Sequence, residues 1–111
     1  MEDFELFKET FTKYQEMFGL TGYQIYFNYK PLEKTFAEIS VNQNNMVATV
    51  YLNSQLPKKD KLHKNIKLDA KHEVIHLLLN KLEHMAYARY VTEVEIYEAT
   101  EELVNKLVKL W

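Results

Sequence analysis

Apolar residues recur at three- and four-residue spacing at the start of the chain. Phe4, Phe7, Phe11, Tyr14 and Phe18 share one face of a helix predicted over positions 1–18, and Gly19 suits its C-cap. After a turn at Thr21-Gly22 the period falls to two. Positions 23–29 alternate and are rich in aromatics; positions 36–41 put Ala37, Ile39 and Val41 on one face, Glu38 and Ser40 on the other. Asn42, Gln43, Asn44 and Asn45 form a polar cluster whose asparagines tolerate positive φ, so a hairpin turn is expected before a third strand over 46–52. Three strands in succession predict an antiparallel meander.

The period then returns to that of a helix. Ile66, Ala70, Val74, Leu77, Leu78, Leu82 and Met85 form an apolar stripe on a helix running to about Tyr90. Thr92 and Glu95 have capping-box spacing, which starts a last helix near Glu93 that runs almost to Trp111. Helix, three strands, helix, helix predicts one α+β domain over 1–111, with an N-terminal helix, a three-stranded antiparallel sheet, a central helix and a C-terminal helix.

Composition narrows the function classes. The chain has 111 residues, 47% of them hydrophobic, enough for one core. A net charge of -2 gives no overall reason to expect nucleic acid. Lys58, Lys59, Lys61, Lys64 and Lys67 crowd one connection, read as a solvated loop and first helical turn. The absence of cysteine excludes a disulfide scaffold and any cysteine–zinc site. With an acidic N-terminus lacking a signal-peptide core, and no apolar run of spanning length, the expected location is the cytoplasm, away from membranes.

The candidate chemistry sits on the central helix. His72-Glu73-Val74-Ile75-His76 reads H-E-x-x-H, and residues i and i+4 lie one turn apart on one helical face. His72 and His76 therefore offer two imidazole nitrogens to one ion, and Glu73 offers a carboxylate to the water beside it. A catalytic zinc needs a third protein ligand. Of the acids on the last helix, Glu101 has Val94, Tyr97, Val104 and Val108 as helical neighbours, which an inward face would explain. Glu101 is the expected third ligand and Glu98 the alternative. A longer H-E-x-x-H-x-x-G-x-x-H pattern is excluded, because positions 79 and 82 are Leu79 and Leu82. His84 and His63 have no motif partner. Asp69, one turn before His72, is read as support for the helix N-terminus.

On these residues the chain resembles the minimal zincins, the small gluzincin-like metallopeptidases of phage and bacteria. The resemblance rests on the paired strands 37–41 and 47–52, the His72–His76 motif on a long helix, and Glu101 on a closing helix. It implies a zinc ion held by His72, His76 and Glu101, and a peptide or protein substrate laid along the sheet edge beside the central helix, expected to be the third strand. It also implies peptide hydrolysis with Glu73 as general base on a zinc-activated water. Tyr87, Tyr90, Tyr97 and His84 are candidates to stabilise the oxyanion. The alternative is a non-catalytic zinc-binding interaction module on the same fold. Neither reading fixes the oligomeric state.

Overall fold

A computed structural model describes residues 2–56, 65–88 and 90–108. The elements run α1 (Glu2–Met17), β1 (Gln24–Lys30), β2 (Ala37–Asn42), β3 (Val47–Asn53), α2 (Ile66–Tyr87) and α3 (Glu93–Val108). The expected α+β class holds among the described residues, as do the elements and their order. His63 and the lysines at 58, 59, 61 and 64 lie outside them. No helix among the described residues is long and apolar enough to cross a membrane.

The sheet corrects the expected meander. Its order is β1-β3-β2, with β1 parallel to β3 and β2 antiparallel to it. The third strand is the centre, so the edges are β1 and β2. One side chain explains the crossing. Asn53, at the end of β3, accepts the N–H of Leu32 and donates to the carbonyls of Leu32 and Thr35. The β1–β2 connection is thereby stapled across the end of β3, and β2 emerges on the far side.

The turn before β3 is closed by Asn42, whose side chain accepts the Asn45 N–H at 3.2 Å. The positive φ falls on Met46 (φ 54) rather than on an asparagine.

Helices cover one face of the sheet. Phe7 and Phe11 of α1 meet the Phe27 ring edge-on at 6.4 and 5.4 Å, and Phe4 stacks on Tyr29 at 5.0 Å. Gly19 ends α1 in the left-handed region (φ 71), with the Leu20 N–H bonded back to Gln15 O at 2.8 Å. Helix α2 starts at Asn65, whose side chain accepts the Leu68 N–H at 3.1 Å. It buries Ile66, Ala70, Val74, Leu77 and Leu78. That anchored face fixes the rotation of α2, so the residues beside it are held at the margin between core and solvent.

Helix α3 is capped as expected: the Glu95 N–H bonds to Thr92 Oγ1 at 3.1 Å. The Thr92 hydroxyl donates in turn to the Glu95 carboxylate, in place of the expected bond from Glu95 to the Thr92 N–H. The inward face of α3 differs from expectation. Ala99 is buried and Leu103 packs on the core, whereas Val94 and Tyr97 are each 65% exposed.

Candidate metal centre

The three motif residues converge. His72, Glu73 and His76 each place a potential ligand atom so that all lie within 4.8 Å of one another. The Nε2 atoms of His72 and His76 stand 3.1 Å apart, with ring centroids at 4.8 Å. Two nitrogens bound at about 2.0–2.1 Å to one tetrahedral zinc stand roughly 3.3 Å apart, so the pair is spaced to share an ion. Both histidines are exposed on α2, while Glu73 is only 5% exposed. The helix places them so: 100° per residue sets Glu73 toward the anchored face and the imidazoles on its rim.

Glu73 is the electrostatic anomaly. Its Oε2 is buried without a hydrogen-bond partner. Burial raises its pKa above the ordinary carboxylate value; the imidazoles of His76 and His72 pull it down, and the charges of Asp69 and Glu38 push it up. A buried carboxylate with an orphaned oxygen is stable when a cation or a proton donor meets it. Two convergent imidazoles and that carboxylate are the donor set a borderline-soft divalent ion such as zinc favours. The residues present therefore fit a metal.

A groove of about 410 Å³ opens over the site, lined by Thr35, Ala37, Glu38, Ile39 and the three motif residues. The sheet edge beside the histidines is therefore β2, not the third strand expected from sequence. The pairing pattern shows which of its backbone groups are free. Asn53 N–H bonds to Phe36 O, so residues 36, 38 and 40 face β3, and Ala37, Ile39 and Val41 turn their N–H and C=O toward the open edge.

The other expected site residues are not brought in. Glu101 is half-buried on α3 and Glu98 exposed, and neither belongs to the metal-capable cluster. Glu101 lies about 160° round α3 from both Ala99 and Leu103. Helix α3 in turn shares a pocket with Leu78, Lys81 and Leu82 of α2, about 120–160° round that helix from His76. The acid that meets α2 is Glu102, paired with Lys81 at 2.7 Å. Tyr87, Tyr90, Tyr97 and His84 are exposed, and none lines the groove. Asp69 does support the helix start: its carboxylate accepts the Asn65 N–H, while burial raises its pKa against the lowering pull of His72 and of that bond. Its Oδ2 is buried with no hydrogen-bond partner, which no sequence pattern signals.

No protein-family model matches the chain, and no curated protein or solved structure matches it.

Proposed function

We propose that this chain is a zinc-dependent peptidase of zincin type, with His72 and His76 as metal ligands and Glu73 as general base. The supporting observation is the meeting of two convergent imidazole nitrogens with a buried, unpartnered carboxylate oxygen. A bound zinc ion would supply Lewis acidity, lowering the pKa of a water to about 7 and polarising a carbonyl. Glu73 accepts the proton of the attacking water and delivers it to the departing amine nitrogen. Its raised pKa suits this work, because a base is most effective when its pKa approaches the working pH. Ala37 and Ile39 offer backbone bonds to an extended peptide added at the β2 edge, alongside the histidines.

A third ligand is proposed from α3: Glu101, with Glu98 as the alternative. Either requires α3 to leave its present seat on α2. Zinc affinity decides the point. Glu101→Ala weakening zinc well beyond Glu98→Ala supports Glu101; no effect from either removes α3 from coordination.

The second reading, a metal-stabilised interaction module, is favoured by the exposed side chains of Tyr87, Tyr90, Val94 and Tyr97, and by a site that among the described residues has two histidines and no third one. The deciding experiment incubates zinc-loaded protein with a mixed peptide library and identifies products by mass spectrometry. The peptidase reading expects cleavage by the wild-type chain and none by Glu73→Gln at equal zinc content. A zinc-loaded wild type that leaves every peptide intact refutes it in favour of the module.

A further inference from the structure

Helix α3 is held on α2 by its inner side. Ala99 is buried, Leu103 packs on the core, Lys81 pairs with Glu102 at 2.7 Å, and Lys106 Nζ donates to the Gly19 carbonyl at 2.8 Å. In that seat Glu101 is turned away from α2 and lies outside the His72–Glu73–His76 cluster. The outer side of α3 is not an ordinary solvated face. Val94, Tyr97, Glu101 and Val104 fall within an arc of about 80°, three exposed apolar side chains around a half-buried carboxylate. Helix α2 carries a matching stripe. Leu68, His72, Ile75 and Leu79 fall within about 60° and are all exposed, with the exposed His76 beside them. The stripe on α2 is about 16 Å long and that on α3 about 15 Å. Each has metal-capable groups between its ends and apolar residues on both sides of them.

We propose that a second copy of the chain completes the metal centre: its α3 lays the outer stripe on α2 of the first copy, and its Glu101 meets the ion held by His72 and His76. This rests on the metal site of the peptidase reading and names the partner that the site requires. Two imidazoles, with Glu73 serving the water, leave zinc one protein ligand short, and a carboxylate is a donor it accepts. Within one chain Glu101 reaches the histidines only if α3 leaves its seat; a second copy brings the same residue with α3 in place. Docking covers apolar side chains on both helices while the carboxylate gains a cation. Glu98 lies beside the stripe, one turn from Glu95 and Glu102, and would bring further acids into the contact. The six apolar side chains present about 400–600 Å², well under the roughly 1,200–2,000 Å² of a stable interface. The stripes alone therefore do not hold two copies together, and assembly requires the shared ion. The contact joins two different faces, so it is head to tail, and each end of the assembly keeps a free stripe.

The test needs no substrate. Metal-free chain is titrated with zinc chloride and followed by sedimentation velocity and by zinc content after gel filtration. The wild type should be a monomer without zinc and at least a dimer with it, and its zinc affinity should rise with protein concentration. The decisive sample mixes a His72→Ala/His76→Ala chain with a Glu101→Ala chain. Alone, each should lose zinc-driven assembly. Mixed in equal amounts they should bind one zinc per two chains and stop at the dimer, because the only whole junction joins Glu101 of the first to the histidines of the second. Leu79→Lys, which removes no ligand, should weaken zinc-driven assembly and leave the melting temperature of the metal-free chain unchanged; assembly equal to wild type would refute the docking face. A wild type that binds zinc as a monomer at every protein concentration, or a mixture that takes up no more zinc than its parts, overturns the second copy and leaves the metal site standing. A wild type that takes up no zinc removes the site and this inference with it.

Discussion

Replacing Glu73 by Gln should stabilise the metal-free protein. The side chain is 5% exposed and its Oε2 has no donor, so when ionised it is a charged oxygen that water would solvate in the unfolded chain and nothing solvates in the fold. Gln has nearly the same volume and resembles the protonated acid. Removing the charge should gain about 1–2 kcal/mol, within the cost of an unsatisfied buried group. For a domain of this size that raises Tm by roughly 4–8 °C. The sign follows from proton binding. Burial raises the pKa of Glu73 in the fold, so between its ordinary value of 4.5 and the raised one the folded chain holds more protons than the unfolded chain. Wild-type stability therefore falls as pH rises through that window, and the Gln variant escapes this loss. Thermal melts by circular dichroism, after chelation, should show the two chains equal near about pH 4 and the variant ahead near about pH 7.5. Saturating zinc should narrow the gap by supplying the carboxylate with a cation. A variant less stable than wild type at neutral pH, or a gap independent of pH, would refute the placement of this carboxylate.

Other expectations address the metal and the frame. His72→Ala and His76→Ala should each abolish zinc-induced stabilisation, which for the wild type is about 2.7 kcal/mol at a free zinc concentration one hundred times Kd; titration calorimetry and melts check this. Asn53→Ala removes four hydrogen bonds, three to the β1–β2 connection and one to Gln55, and should cost about 2–4 kcal/mol in urea unfolding. A loss below about 0.5 kcal/mol would mean that the connection is held by something else. Gly19→Ala forces a side chain into the left-handed region, with the new Cβ 3.1 Å from Lys106 Nζ. It should cost about 1–2 kcal/mol, measured the same way.

The elements and the motif were legible in the sequence because each is a local pattern. The stripe from Phe4 to Phe18 gives α1, Thr92 caps α3, and the i, i+4 spacing alone brings His72 to His76. Strand neighbours were not legible from alternation, which assigns faces and leaves partners open. A signal was nonetheless present. The outer face of β2 carries Glu38 and Ser40, an edge-like pair, while Val47, Thr49 and Tyr51 on the outer face of β3 suit a central strand flanked on both sides. The rotation of α3 failed for a different reason. It has two apolar stripes, one through Val94, Tyr97 and Val104 and one through Ile96, Ala99, Leu103 and Leu107. Glu101 looked inward because the first was chosen, but the helix docks through the small Ala99 and through Leu103. The orphaned oxygen of Asp69 arises from tertiary packing, and no local pattern reports it.

The placement of β3 between its two neighbours also sets an order of assembly. Asn42 pairs with Val47 only five positions on, so β2 and β3 close as a local hairpin. Gln24 also pairs with Val47, twenty-three positions on, so β1 must wait for a strand made much later. A nascent chain that has not yet reached Asn53 holds both outer strands and no centre to join them. Until then β1 has only α1 to lean on, through Phe27 against Phe7 and Phe11, and its backbone is open to any passing strand. The ribosome therefore delivers β1 well before its partner, and the aromatic face of α1 is what shields it in the interval.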